Sequence, residues 1–345
     1  MKIDKTFYED LYGSDEESEN LPRIKNMPTE RRTHSKSSPV RRSAVGETRK
    51  LQEQVDDLRE YEFTYQASRH ESWWLIDSLG PFYDEQWFND VLRMVKGGKE
   101  ASVYLCTGTS ASSTDLIAAK VYRPRSLRNL RKDHIYREGR ANLNEDGLEI
   151  LDDRALRALQ KGTSYGKKLQ HTSWLEHEFQ TLKILAEAGC DVPHPYASGH
   201  NAILMDFIGD LDINAPTLNE IHLRPKEART LFERVIHNLE IMLAQGRIHG
   251  DLSAYNILFW EGEIALIDFP QAISPFENRN AFTIFERDVT RICEYFTRMD
   301  LQNHPRKLAH DLWVKQGYSN KVQIPVELFH LQEADETPFD QSELV

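Results

Sequence analysis

The sequence predicts an α+β chain of two lobes, strands first and helices second, preceded by a disordered tail. Three observations carry that prediction. Apolar runs at strand spacing cluster between Val91 and Val121. Apolar stripes at helical spacing dominate from Leu175 onward. Residues 1–48 hold too few large apolar side chains to build a core.

Each element follows from its own stretch. The tail is acidic over Asp4–Glu19, then basic, with nine Lys or Arg against two Glu between Arg23 and Lys50. Neither half buries enough surface to offset chain entropy. Helical spacing begins at Arg49 (Leu51, Val55, Leu58), and an aromatic-rich stretch with Trp73, Trp74, Phe82, Trp87 and Phe88 marks the start of packed structure. "VLRMVKGGKEASVYLCTG" reads as strand, glycine turn, strand, and "TDLIAAKVY" as a third strand. Residues 123–172 are rich in charge, with a short helix predicted at Asp152–Lys161. "SWLEHEFQTLKILAEAG" is an amphipathic helix with Leu175, Phe179, Leu182 and Leu185 on one stripe and Gly189 as its stop. "AILMDFIGD" reads as a buried strand. Residues 225–245 read as a helix striped by Ala228, Leu231, Val235, Leu239 and Met242. In "IHGDLSAYNILFWEGEIALIDF", residues 248–269, two apolar runs flank a polar turn. A last helix is predicted at Phe285–Met299, and the tail from Asp300 packs on as one more. These signals place a domain at 49–300, with a strand-rich lobe at about 66–204, a helical lobe at about 210–300 and an extension at 301–345.

Composition sets outer bounds. The chain has 345 residues, 28% of them charged, and a net charge of −12, so its overall charge gives no reason to expect nucleic-acid binding. Cys106, Cys190 and Cys293 lack CxxC or zinc spacing and read as reduced core residues. The first residues show no apolar targeting core, and no apolar run reaches the roughly 18 residues of a membrane span. The expectation is a soluble, cytoplasmic protein with no membrane partner.

Residues 248–269 also pose a chemical question, because Asp251, Asn256 and Asp268 are polar groups among apolar neighbours. One such Asp is ordinarily a turn former. Three at these spacings suit a phosphoryl-transfer site. Asn256 and Asp268 are oxygen donors of the kind Mg²⁺ accepts beside phosphates and water, while Asp251 orients the attacking hydroxyl. Lys120, at the end of "LIAAKVY", suits nucleotide phosphates. Its partner is a glutamate on the next helix. Glu178 lies on the inward stripe, whereas Glu176 shares a face with Gln180 and Lys183. In "KGGKEASVY", backbone N–H groups and Lys99 suit phosphate oxygens, although the pattern is neither a Walker A loop nor G-x-G-x-x-G. "LMDFIG" would connect the lobes. There Met205 limits pocket depth, and the backbone around Phe207 pairs with a purine base.

Taken together, "GGKEASVY", "AAKVY", "HEFQTL", "MDFIG", "IHGDLSAYNIL" and "LIDFPQA" resemble the RIO family of atypical serine/threonine protein kinases, over about residues 90–298. The resemblance implies a two-lobed protein-kinase-like fold with a shortened helical lobe, binding ATP and Mg²⁺ (or Mn²⁺). It implies a phosphate-loop lysine at Lys99, a strand lysine at Lys120, its glutamate at Glu178, nucleotide contacts including Ser253, a catalytic aspartate at Asp251, and metal ligands at Asn256 and Asp268. In some family members the last aspartate is itself phosphorylated, which would add Asp268 to the catalytic residues. "VYRPRSLRNLRKDHIYREGR" resembles the basic loop of RIO1-type members, and residues 1–60 are too polar for the winged helix of RIO2-type ones. "HGD" stands where the family more usually has H-A-D, and "FPQA" where it has V-S-Q.

Two other functions compete. Aminoglycoside- and choline-kinase-like phosphotransferases share "HGD", but they carry a histidine where this chain has Ser253. An ATPase that drives ribosome assembly would use the same site. Its partner, ribosomal RNA or a pre-ribosomal particle, would bind the basic segments 123–140 and 23–50. The first of these holds seven Lys or Arg against two acids. The protein substrate is not legible.

Overall fold

The computed structural model describes residues 61–98, 100–112, 114–123 and 140–318, all within one unit that spans Val55–Val345. Expectations for the tail, for Leu51, Val55 and Leu58, for Lys99, for segment 124–139 and for residues 319–345 lie outside the described residues. No helix among the described residues is long and apolar enough to cross a membrane.

The aromatic-rich stretch forms α1 (Arg69–Asp84), started by a capping box in which Ser68 and Glu71 satisfy each other's backbone N–H. Glu71 also accepts from Tyr104 at 2.7 Å and Tyr65 at 3.0 Å, which fastens the helix start to the sheet. The sheet is antiparallel, with strands β1 (Phe88–Gly97), β2 (Ala101–Gly108), β3 (Leu116–Tyr122), β4 (Pro195–Gly199) and β5 (Ala202–Asp206) in the order β1-β2-β3-β5-β4.

Alternation along the strands divides the core in two. Ile117, Ala119 and Val121 of β3, with Ala202 and Leu204 of β5, pack with Leu75, Leu79 and Phe82 of α1. Ala118 and Tyr122, with Ile203 and Met205, face the other way into the larger cluster shared with the helices. The sheet is thus covered on both faces, and its second face is the one that carries Lys120.

Between β3 and β4 run α2 (Asp153–Lys161) and α3 (Ser164–Glu187). The sequence stripe places the start of α3 at Ser173, but the helix begins nine residues earlier. Thr163 caps it by accepting from Gly166 N at 3.0 Å, and its first turns are too polar to show a stripe. Gly166 is required there, since a Cβ would lie 2.0 Å from the Ala158 carbonyl oxygen of α2.

The helical lobe consists of α4 (Pro225–Ala244), the hairpin β6 (Ile257–Trp260) and β7 (Glu263–Leu266), α5 (Ala281–Thr297) and α6 (Pro305–Lys315). Glu261 and Gly262 form a two-residue loop with φ of 51° and 91°, the turn whose twist matches paired strands. α5 starts four residues before the expected Phe285 and ends two before Met299. α6 buries Ala309, Leu312 and Trp313 against it, with the Trp313 ring 5.2 Å from Phe282 and 5.8 Å from Phe285.

Asp191 joins two pieces of this lobe, α4 and β7, to the end of α3. Its carboxylate takes Arg234 Nε at 2.7 Å, Arg234 Nη2 at 2.8 Å and Asn238 Nδ2 at 2.7 Å. Its carbonyl accepts from Leu266 N of β7 at 2.7 Å. Burial alone would raise the Asp191 carboxyl, but bonds from Arg234 and Asn238 outweigh it and hold the group below its usual 3.8. A depressed folded pKa stabilises the fold above the unfolded value, and that stabilisation is lost as pH falls through the folded one. Acid titration of thermal stability should therefore show the wild type losing more than Asp191→Asn below about pH 4; parallel curves would refute the role given to this carboxylate.

Candidate active site

Three elements bring three charged groups to one point. Lys120 and Tyr122 project from the same face of β3 because they are two residues apart. Their Nζ and Oη meet the two oxygens of Glu178 on α3, at 2.6 Å each. Glu178 is 1% exposed by side chain. Glu176 is also buried, contrary to its expected outward face, and it accepts from Gln180 at 2.8 Å and Ser198 at 2.9 Å rather than from Lys120.

Lys120 Nζ donates a second bond, 2.7 Å, to Asp268 Oδ1. Asp268 follows β7 with φ +73°, a left-handed conformation that Asp tolerates better than most residues. This turn takes the carboxylate out of strand alternation and places it at the lysine. Burial works against charge on Lys120, which is 12% exposed by side chain, and less so on Asp268, which is 48% exposed. Even so, Asp268 and Glu178 hold the Lys120 ammonium above its ordinary value, and Lys120 keeps the Asp268 carboxyl below its own. The pair stays ionised.

Asn256 sits beside Asp268 because its carbonyl accepts from Ile267 N at 3.0 Å. Its Nδ2 donates to the Asp251 carbonyl at 3.0 Å, which leaves Oδ1 as the atom with which it can meet a cation. Ser253 turns the chain between them, its carbonyl accepting from Asn256 N at 2.9 Å. Asn256 Oδ1 and the Asp268 carboxylate form an oxygen set suited to Mg²⁺, which retains water and phosphate ligands. Among the described residues no trio of His, Cys, Asp or Glu able to hold a metal occurs.

Asp251 Oδ1 lies 2.6 Å from Arg291 Nη1 of α5. The loop before it is braced from the same helix. Buried Asp288 accepts from Gly250 N at 2.8 Å, and Arg287 donates to the Gly250 carbonyl. Burial raises the Asp288 carboxyl despite His249 and Arg287 nearby. His249 Nδ1 accepts from Asp251 N at 3.3 Å, and its Nε2 donates to the Ile267 carbonyl at 3.1 Å. Neither Asp288 nor Arg291 belongs to a motif in the sequence. The signal for Asp288 was an acid on the apolar stripe of α5, between Ile284 and Ile292.

At the connection between lobes, Met205 is 8% exposed and pairs with Ala118 of β3 and Pro195 of β4. The Phe207 ring lies 5.9 Å under the Arg93 guanidinium, whose Nε donates to the Leu211 carbonyl at 3.2 Å. Arg93 thereby ties β1 to the connection, a role its sequence does not announce.

A family model of the RIO domain matches residues 103–308, more than half of the chain, and the chain belongs to that family. The match covers every candidate site residue except Lys99. The chain is 28% identical over 210 residues to the RIO-type serine/threonine-protein kinase Rio1 of Haloferax volcanii, covering 59% of this chain and 62% of that protein. It is 28% identical over 214 residues to the serine/threonine-protein kinase rio1 of Schizosaccharomyces pombe, covering 61% of this chain and 39% of that one. It therefore spans less than two thirds of either relative. Among solved structures it is similar to the Rio2 kinase of Chaetomium thermophilum, at 18% identity, with 86% of this chain and 90% of that one covered and a TM-score of 0.47. An ADP/Mg²⁺–phosphoaspartate complex of Rio2 kinase from the same organism matches at 20% identity, 74% and 75% coverage and a TM-score of 0.44.

The segments "HGD" and "FPQA" touch each other. Gly250 has φ +83°, and a Cβ on it would lie 2.2 Å from the Gln271 carbonyl oxygen. Gly250→Ala should therefore cost at least about 1–2 kcal/mol from backbone conformation alone, plus the clash. Thermal melting of the variant checks this, and an unchanged midpoint would refute it.

Proposed function

We propose that this chain is an atypical serine/threonine protein kinase that transfers the γ-phosphoryl group of ATP to a Ser or Thr hydroxyl, in the non-specific class, with autophosphorylation within its reach. The observation that carries this reading is the Lys120 ammonium fixed between Glu178 and Asp268, with Asn256 beside the latter. That arrangement presents a cation to nucleotide phosphates and two oxygen ligands to a divalent ion.

Asn256 and Asp268 would hold Mg²⁺ or Mn²⁺, which when bound supplies charge neutralisation and orientation for the phosphate oxygens. Lys120, aligned by Glu178, meets the phosphates from the strand-rich lobe. Met205 and the backbone at Phe207 line the purine side, and Ser253 lies at the turn between Asp251 and Asn256. Asp251 orients the acceptor hydroxyl and takes its proton as the new P–O bond forms and ADP leaves. Positioning and charge stabilisation provide most of the acceleration.

A second use of the same site, ATP turnover coupled to an RNA-containing partner such as a pre-ribosomal particle, draws support from the segment Arg123–Arg140. Its last residue, Arg140, donates to the Pro270 carbonyl at 3.3 Å and to that of Ala272, just beyond Asp268. A charge at the end of a basic segment thus bears on the turn that follows the metal-binding aspartate. Three buried free cysteines support a reducing, cytoplasmic location.

With purified chain, labelled ATP and Mg²⁺, Asp251→Ala should lose phosphoryl transfer by about 10²–10⁴-fold while ATP binding persists; normal turnover by that variant would end the assignment. If the partner is RNA, ribosomal RNA should stimulate ATP turnover, and rising salt should abolish the stimulation. Salt-insensitive or absent stimulation would remove the second use.

A further inference from the structure

We propose that Arg291 is a positioning residue for Asp251, fixing one carboxylate oxygen so that the other faces the acceptor hydroxyl. This rests on the phosphoryl-transfer function proposed above for Asp251. Arg291 Nη1 and Asp251 Oδ1 are 2.6 Å apart, the distance of a charge-assisted bond. No other protein group among the described residues bonds to that carboxylate, so Oδ2 is the oxygen left for a hydroxyl.

The helix that carries Arg291 is itself locked to the loop. Asp288 and Arg287 lie three and four residues earlier, within about one turn, and hold the N–H and carbonyl of Gly250. The backbone of the loop and the side chain of its aspartate are therefore set from one rigid element. Fold stability does not account for the pair. The side chains are 39% and 44% exposed, a range in which an ion pair contributes little to folding. A group that accepts a proton must nevertheless be held in one orientation, and a small misplacement lowers rate far more than it lowers stability. Nucleotide contacts lie elsewhere, at Lys120 and Asp268, so removal of Arg291 should separate turnover from binding.

The test uses the full chain with Arg291→Ala, Arg291→Gln and Arg291→Lys, measuring kcat, KM for ATP, ATP affinity by calorimetry and thermal midpoint. Arg291→Ala and Arg291→Gln should lower kcat about 10- to 100-fold, with KM, ATP affinity and midpoint unchanged, and Arg291→Lys should recover a large part of kcat. An unchanged kcat, a rise in kcat (an inhibitory latch), or a fall that tracks the midpoint and ATP affinity would each overturn the inference. Asp251→Ala, run alongside, keeps the two ideas apart. If it turns over ATP normally, the phosphoryl-transfer reading itself fails. If it is inactive while Arg291→Ala is fully active, only the role of Arg291 fails.

Discussion

The Lys120 ammonium lies between carboxylates that reach it from α3 and from the end of β7, and the two lobes keep their relation at the cleft through that contact. Its bonds are 2.6 Å to Glu178 and 2.7 Å to Asp268. Buried ion pairs add little net stability over an apolar packing, but removing one partner strands a charge at a cost of about 3–5 kcal/mol. Glu178 is therefore constrained by Lys120, and Lys120 by the alternation of β3. That alternation in turn depends on Ile117, Ala119 and Val121 packing against α1. A one-residue slip of β3 would send Lys120 into that apolar cluster.

The three bonded charges sum to one excess negative, two carboxylates against one ammonium. Lys96 acts on Asp268 only at longer range. A cleft with surplus negative charge beside a carboxamide oxygen favours a cation, and a cation there favours phosphate oxygens. The lysine serves the same end from the opposite wall. A divalent cation bound there would offset the charge imbalance that the three groups alone retain.

The sequence made the strands and most helices legible because their apolar spacing is strong, and Lys120, Asp251, Asn256 and Asp268 legible because motif spacing survives without structure. Glu178 could be preferred to Glu176 from the stripe of α3, yet both are buried, since the second face of that helix packs on Ser198 of β4. The start of α3 was hidden because a cap and polar turns, not an apolar stripe, define it. Arg93, Asp288 and Arg291 stayed invisible for another reason. Each acts through a partner more than thirty residues away in the chain, and only tertiary geometry supplies that pairing. Asp288 left a trace, an acid on a buried stripe; Arg291, at the edge of its stripe, left none.

Gly250 and Gln271 are twenty-one residues apart in sequence but in contact in the fold. The φ of +83° at Gly250 lets the loop carrying Asp251 approach the turn after Asp268 until the Gln271 carbonyl fills the volume of a missing Cβ. The same turn is held on its other side by Arg140 through the Pro270 and Ala272 carbonyls. The loop carrying Asp251 and the turn following Asp268 are thus packed backbone to backbone, and neither can move far without the other.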